Sequence, residues 1–240
     1  MKFSIMRSID TKRYPSLIGQ SVEDLEELSI ALGQPSFRGR QLFDWIYRKK
    51  VDDFTKMTDL PKLFQEKLNG YSLHPLKILN TNSSSSKKTQ KYLLTTKKGM
   101  TIESVLMRKK NRATICLSTQ VGCAVDCSFC ATAKMGFVKN LSVGEIIDQY
   151  FQLEKLSDTK ITNVVFMGMG EPFLNYQNSI AAAKLLNHEK GINLGARRIT
   201  ISTAGIIGKI KKFTNEKHPF RLAVSLNGSN HDQRLQIMPI

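Results

Sequence analysis

Three segments near the start of the chain carry apolar residues at the spacing of amphipathic helices. The first spans residues 21–32, and Ser21 is a typical N-cap for it. The second has Leu42, Phe43, Trp45 and Ile46 on one face, with arginine and lysine around it. The third spans residues 58–70. Together they predict a small helical domain over residues 1–75, whose basic side chains suit either phosphate groups or solvent.

Alternation of apolar and polar residues replaces the helical spacing after residue 75. Residues 76–79, 91–95 and 101–107 read as short strands. The polar, serine-rich run over residues 82–88 is typical of a turn between two of them. These features predict an antiparallel β extension over residues 76–111.

The pattern changes again at residue 112, where apolar strands begin to alternate with helices. This rhythm predicts parallel βα units and an α/β fold over residues 112–240. Functional side chains in such folds lie at the carboxyl ends of the strands. Four strands of this kind are predicted, over residues 113–119, 162–167, 198–202 and 220–226.

The net charge of the chain indicates what kind of partner it binds. The 240 residues hold 36 Lys and Arg against 20 Asp and Glu, a net charge of +16. Residues 1–110 contribute +10 of it, with 21 basic and 11 acidic side chains. Such an excess favours a polyanionic partner bound through its phosphates, and RNA fits this description. We found no apolar run of the roughly 18 residues that a membrane helix needs and no export signal, so we expect a cytoplasmic protein without a membrane partner.

Three of the four cysteines form a C-x3-C-x2-C motif at Cys123, Cys127 and Cys130. Thiolates in a tight loop are typical ligands of a four-iron, four-sulfur (4Fe–4S) cluster, and three of them leave one iron open to a small molecule. A disulfide framework suits this clustering poorly. A zinc site stays an alternative, but it needs a fourth ligand, for which Cys116 is the nearest candidate.

Other candidate residues are weaker when taken one by one. Gly170 and Glu171 follow a predicted strand, where a glycine admits a ligand and a carboxylate accepts hydrogen bonds. Ser202 ends the next strand and reads equally well as a helix cap. Glu103 is a glutamate in an alternating strand, and Cys116 is compatible with an inert buried thiol.

A resemblance changes the weight of these residues. The cysteine motif, with an aromatic residue before its last cysteine, is similar to the cluster loop of radical S-adenosylmethionine (SAM) enzymes. The longer run from Cys116 to Phe137, and the Gly168–Pro172 segment, resemble the RlmN family of dual-specificity RNA methyltransferases. The resemblance extends from about Ser21 to the last residue. It implies a partial radical SAM (β/α) barrel whose first four βα units follow the helical domain and the β extension.

The resemblance implies two cofactors. A 4Fe–4S cluster is held by Cys123, Cys127 and Cys130, and SAM binds its open iron and is cleaved to a 5′-deoxyadenosyl radical. The residues that the resemblance assigns to SAM are Gly170, Glu171, Ser202, Ser225, Leu226 and Asn227. Asn227 stands where the family usually has histidine, and asparagine keeps the hydrogen-bonding capacity but does not titrate near neutrality.

The activity that the resemblance implies is methylation of adenosine at C2, at adenosine 2503 of 23S rRNA and adenosine 37 of tRNA. In the family a second cysteine near the C-terminus carries the methyl group to the base. Glu103 then matches the proton acceptor, and Cys116 matches the thiol that resolves the protein–RNA adduct through a disulfide. A reducing donor such as flavodoxin supplies electrons, and the protein is expected to be a monomer.

The resemblance also leads to two expectations about the extent of the chain. No cysteine follows Cys130, so the methyl-carrying cysteine is expected beyond Ile240 and the chain is expected to be an incomplete enzyme. Two alternatives remain open: the sister family that methylates adenine at C8, and a non-catalytic iron–sulfur module that binds RNA.

Overall fold

The computed structural model describes residues 16–240, so the first fifteen residues of the predicted helical domain lie outside the described part. The Ser21 hydroxyl accepts from the Asp24 amide, and the Ser21 amide donates to the Asp24 carboxylate, which caps the first helix as expected. The helices pack around buried leucine and aromatic side chains. The elements are α1 (Val22–Ala31), α2 (Phe37–Phe43), a π-helical turn (Asp44–Arg48), a 3₁₀ turn (Phe54–Lys56) and α3 (Lys62–Leu68).

One seven-stranded sheet runs through the rest of the molecule, in the order β1-β2-β3-β4-β7-β8-β9. Neighbours from β1 to β4 pair antiparallel, and β4, β7, β8 and β9 pair parallel. The strands are β1 (Leu76–Ser83), β2 (Thr89–Thr96), β3 (Thr101–Lys109), β4 (Arg112–Cys116), β7 (Ile161–Phe166), β8 (Ile199–Thr203) and β9 (Arg221–Val224).

A helix follows each parallel strand, which confirms the α/β fold class and the four βα units of a partial barrel. Ser142 and Glu145 form a reciprocal cap that starts the longest of these helices. The helices are α4 (Val143–Lys155), α5 (Tyr176–Asn187), α6 (Ile207–Asn215) and α7 (His231–Ile237). None of the helices in the described part of the chain has the length and hydropathy to cross a bilayer.

A two-stranded hairpin, which the sequence pattern did not predict, brackets the cysteine motif. It pairs β5 (Gln120–Gly122) with β6 (Phe137–Asn140). Gly122 has a positive φ of 73°, and a Cβ there would lie 1.6 Å from the carbonyl oxygen of Gly136. Only glycine allows this close approach, so the hairpin closes tightly at the base of the cysteine loop.

The β extension is continuous with the barrel rather than a separate layer. The predicted boundary near residue 111 lies in the turn between β3 and β4, and these strands pair with each other. Asp148 on α4 anchors the start of the extension, since its buried carboxylate accepts from the Leu76 amide at 2.9 Å and contacts His74 at 2.6 Å. Strand β1 continues to Ser83, beyond the predicted turn boundary, because pairing with β2 satisfies its backbone although its side chains are exposed.

Candidate functional site

A cavity of about 310 Å³ opens at the carboxyl ends of the parallel strands. This is the edge of the sheet where the alternation of strands and helices predicted a site. Seven of the residues singled out from the sequence line it: Cys123, Cys127, Cys130, Gly170, Glu171, Ser202 and Ser225. The fold therefore brings the cysteine loop to the ends of β7, β8 and β9.

The cysteine loop leaves β5 and returns to β6. Asp126 adopts a left-handed conformation with φ 57°, and the amide of Cys130 donates to the carbonyl of Cys127 at 3.0 Å. These turns direct all three thiols to one cavity. Burial raises the pKa of the Cys123 thiol, and the neighbouring charges of Glu171 and Cys130 raise it further. The loop thus gathers groups that repel one another once ionised, which a cationic metal cluster would offset.

Glu171 joins the loop after β7 to the loop after β8. Its side chain is only 4% exposed, and its two carboxylate oxygens accept from the amides of Phe173 at 2.8 Å and Ala204 at 2.7 Å. Burial raises the pKa of this carboxyl, and the two amide hydrogen bonds oppose that rise. Because an ionised carboxylate offers about four acceptor positions, Glu171 can still accept from a ligand in the cavity.

Gly170 is required by its surroundings. Its φ is +93°, and a Cβ at this position would lie 2.4 Å from Cβ of Gln120. The Gln120 side chain in turn accepts from the Glu171 amide at 2.8 Å. Glycine here lets the loop after β7 pack directly against the strand that leads into the cysteine loop.

Arg234 on α7 positions the loops after β8 and β9, and the sequence pattern did not reveal it. Its guanidinium donates to the carbonyl of Ala204 at 2.8 Å and to the carbonyl of Ser225 at 2.8 Å. These bonds connect loops that carry Ser202 and Ser225 towards the cavity. An arginine has five N–H donors and can bind several backbone carbonyls at once. This property is the one feature of the sequence that could have indicated a role for Arg234.

Leu226 and Asn227 follow Ser225 but do not line the cavity, and Leu226 is 66% exposed. Asn227 has a positive φ of 48°, a conformation that asparagine tolerates better than most residues. Its side-chain amide lies 3.6 Å from the sulfur of Met238, which does line the cavity. The side chain of Asn227 therefore contacts a residue of the cavity wall without lining the cavity itself.

Glu103 lies in a second cavity of about 240 Å³, next to the first. This cavity is bounded by β2 and β3 on one side and by the segment after the cysteines on the other, and Thr132 lines both cavities. The Glu103 carboxylate lies 2.8 Å from the ammonium group of Lys91. Its backbone amide contacts the sulfur of Met169 at 3.2 Å, so the glutamate adjoins the loop that carries Gly170.

Cys116 ends β4 and is buried. Burial raises the pKa of its thiol to about 11, and a hydrogen bond with the Met167 backbone opposes this rise. Cys116 pairs across β3 with Val105, two residues from Glu103, so the two side chains share one face of the sheet. Cys116 does not line the cavity of the other three cysteines.

Comparison with known proteins adds the family. Residues 16–72 match the family described as the ribosomal RNA large subunit methyltransferase N-terminal domain, and residues 117–239 match the radical SAM superfamily. A protein from Bacillus licheniformis described as a probable dual-specificity RNA methyltransferase RlmN is 39% identical over the whole of this chain, which covers 67% of that relative. The chain belongs to the RlmN family of radical SAM proteins.

Other RlmN relatives give the same result. Proteins of the same description from Aquifex aeolicus and Thermotoga maritima are each 44% identical, over 92% and 94% of this chain. The chain spans 64% and 66% of their lengths. A crystal structure described as a radical SAM methyltransferase from Sphaerobacter thermophilus superposes with a TM-score of 0.88 and 41% identity, covering 93% of this chain and 67% of that one.

Radical SAM proteins in general use SAM and a 4Fe–4S cluster, and the thiols of this RlmN chain fit such a cluster. Among the described residues, no three cysteine, histidine or carboxylate side chains converge as ligands of one metal ion. Zinc needs its ligands about 2.0–2.3 Å from one centre. The thiolates of a four-iron cluster each bind a separate iron, and three thiols that line one cavity fit such a cluster.

Proposed function

We propose that the protein to which this chain belongs is a radical SAM RNA methyltransferase that methylates C2 of adenosine, at adenosine 2503 of 23S rRNA and adenosine 37 of tRNA. The observation that carries the proposal is the contact between two cavities. The cavity of the three cysteines and the cavity of Glu103 share Thr132, so a cofactor in one would adjoin a substrate base in the other. The RlmN relatives described as probable dual-specificity RNA methyltransferases support RNA methylation as the reaction.

The residues of the cavity of the three cysteines would have different roles. Cys123, Cys127 and Cys130 would hold the 4Fe–4S cluster, whose chemistry with SAM supplies the radical that the reaction needs. Glu171 would accept from the SAM ammonium with the acceptor positions that its two amide bonds leave free. Gly170, Ser202 and Ser225 would complete the binding site, and Leu226 and Asn227 would contribute through the backbone after β9.

Glu103 would take the proton that the base loses. Exchange of the C2 hydrogen of adenine for a methyl group leaves one proton to be removed, and a carboxylate in the adjacent cavity can accept it. The carboxylate of Glu103 forms an ion pair with the ammonium of Lys91 at 2.8 Å. The carbonyl of Glu103 accepts from the Ser118 hydroxyl, which holds this part of β3 in place.

Cys116 would resolve the link between protein and RNA by forming a disulfide with the methyl-carrying cysteine. That second cysteine is not among the four of this sequence. Cys116 lies on the same sheet face as Glu103, which suits a thiol that acts on a base held there. Its raised pKa means that the thiol must lose its proton during this step rather than before it. We also propose that the protein works in the cytoplasm as a monomer with a reducing donor such as flavodoxin.

Anaerobic turnover tests the proposal. Residues 1–240 are purified without oxygen, reconstituted with iron and sulfide, and given SAM, a reductant and an RNA hairpin with an adenosine in its loop. Because no cysteine follows Cys130 to carry the methyl group, we expect 5′-deoxyadenosine without methylated adenosine. Cys127→Ser is the control that should abolish deoxyadenosine formation.

Three outcomes would contradict parts of the proposal. Repeated formation of 2-methyladenosine would show that the second cysteine is dispensable. Formation of 8-methyladenosine would place the chain with the sister family. Absence of SAM cleavage with a fully loaded cluster would favour a non-catalytic iron–sulfur protein.

A further inference from the structure

The positive charge of the front half is not spread evenly. Residues 21–75, which form the helical part, hold eight basic and nine acidic side chains. Residues 76–110, which form β1 to β3, hold nine basic side chains and one acidic side chain, Glu103. The electrostatic attraction for a polyanion therefore lies on the β extension, although the helical part contains three of the six arginines of this half.

Five of the eight basic side chains of the helical part form ion pairs with carboxylates. Each ammonium or guanidinium held by a carboxylate has less attraction left for an external phosphate. One of these pairs, between Lys50 and Glu154, joins the helical part to α4. The pairs are Arg40 with Glu26, Arg48 and Lys49 with Asp44, Lys50 with Glu154 and Lys56 with Asp52.

The β extension differs in this respect. Two of its basic residues form ion pairs: Lys91 with Glu103 and Arg108 with Asp158. No ion pair involves the remaining seven in the part of the chain that the structure describes. These seven are Lys77, Lys87, Lys88, Lys97, Lys98, Lys109 and Lys110.

The two faces of the extension have opposite character. One face is buried against α4, and its side chains include Tyr92, Leu94 and Ile102. Ser104 on this face donates to the buried Gln149 of α4 at 2.5 Å. The other face stays open, so only one side of these strands is available to a partner.

The open face leads directly to the candidate active site. Cross-strand partners lie on one face, and the register pairs Asn80 with Leu93 and Leu93 with Glu103. It also pairs Asn82 with Lys91, Lys91 with Val105, and Val105 with Cys116. The same face therefore carries an exposed polar track over β1 and β2, then Glu103, then Cys116. Its polar members are Lys77, Asn80, Asn82 and Lys91.

We infer that this open face, defined by Lys77, Asn80, Asn82 and Lys91, binds the RNA strand that flanks the target adenosine. Lys77 and Lys91 would contact phosphates, and the amides of Asn80 and Asn82 would bond to ribose hydroxyls. The inference takes RNA as the partner from the proposed function. The surface that it names is not identified by the net charge of residues 1–110 alone.

Lys91 is the residue of the open face that lies next to Glu103. Its ammonium is paired with Glu103 at 2.8 Å, and its side chain lines the cavity that Glu103 lines. Both side chains of this pair are more than two-fifths exposed, so an arriving phosphate can compete for the ammonium. A bound strand thus places its target base beside Glu103.

Salt-dependent RNA binding tests the surface on the whole chain. The probe is an RNA hairpin with an adenosine in its loop, and binding is measured between low and moderate salt. Each lysine that contacts a phosphate contributes about 0.7–1 to the slope of log K against log salt. Lys77→Gln with Lys91→Gln should therefore reduce the slope by about 1.4–2. The pair Lys77→Arg and Lys91→Arg should keep it.

A matched control separates contact from net charge. Lys56→Gln with Lys62→Gln removes the same two charges from the helical part, and its slope should stay near that of the unchanged chain. Equal losses in both double variants would overturn the inference, as would an unchanged slope in the open-face variant. Failure of the unchanged chain to bind RNA would count against the proposed substrate class itself.

A measurement on the unchanged chain tests the same surface if a variant fails to fold. Acetylation of lysines in the unchanged chain, with and without the hairpin, reports which ammonium groups RNA covers. Protection of Lys77 and Lys91, with Lys56 and Lys62 unprotected, is the expected result. Protection confined to the helical part would overturn the inference.

Discussion

The hydroxyl oxygen of Ser118 lies 2.8 Å from the backbone nitrogen of Met169 and accepts its hydrogen bond. The same hydroxyl donates to the carbonyl of Glu103. One buried side chain thus connects the proposed proton acceptor on β3 with the loop that carries Gly170. Gln149 on α4 holds this serine, since its side chain accepts from the Ser118 amide at 2.8 Å and donates to the Ser118 carbonyl at 2.9 Å.

Replacing Ser118 by alanine should destabilise the fold. The change leaves the Met169 amide and the Glu103 carbonyl without a partner in a buried place, which costs about 1–3 kcal/mol of unfolding free energy. Urea denaturation followed by circular dichroism measures it. Ser86→Ala in the exposed turn before β2 is the control, and it should change stability by no more than about 0.5 kcal/mol. Equal effects of both changes would show that the Ser118 bonds contribute nothing.

Gly170→Ala should destabilise the chain more than Gly99→Ala. Both glycines have positive φ, +93° and +78°, so both alanines bear a backbone cost of about 1–2 kcal/mol. A Cβ at Gly170 also collides with Gln120, whereas a Cβ at Gly99 has no atom within 4 Å. The difference between the two melting temperatures isolates the collision. Similar losses would mean that Gln120 moves aside freely.

An iron assay should distinguish the three proposed cluster ligands from the fourth cysteine, Cys116. Anaerobic reconstitution of the unchanged chain should give about four irons per molecule with iron–sulfur absorbance. Cys127→Ser should lose most of this iron, and Cys116→Ser should keep it because Cys116 lies outside the cavity. Stoichiometric zinc in place of iron would refute the assignment of the three thiols.

Cys116 should react with alkylating agents slowly near neutrality and faster as pH rises. Burial raises its pKa to about 11, so the thiolate fraction increases about tenfold per pH unit up to that value. Iodoacetamide labelling of a variant with serine at the other three cysteines measures the rate. In urea the exposed thiol should level off above about pH 9, close to its ordinary pKa of about 8.5. A folded-state rate that levels off at the same pH would show that burial does not control this thiol.

The sequence alone determined the parts of the site that depend on local order. Ser21 caps α1 as the sequence predicted, and strands alternate with helices after residue 112 in the predicted order. The spacing of Cys123, Cys127 and Cys130 predicted a cluster site, and the structure places all three at one cavity. Caps, apolar periodicity and motif spacing act over a few residues, so they can be read without knowledge of distant partners.

Only the tertiary structure decided which distant segments meet. It paired β3 with β4, so that the extension and the barrel share one sheet and Glu103 lies on the same face as Cys116. It also brought Arg234 to the carbonyls of Ala204 and Ser225. Strand pairing and backbone hydrogen bonding use groups that every residue possesses, so the sequence pattern does not reveal which partners they choose. The choice follows from how all buried faces pack at once, which is a property of the folded chain as a whole.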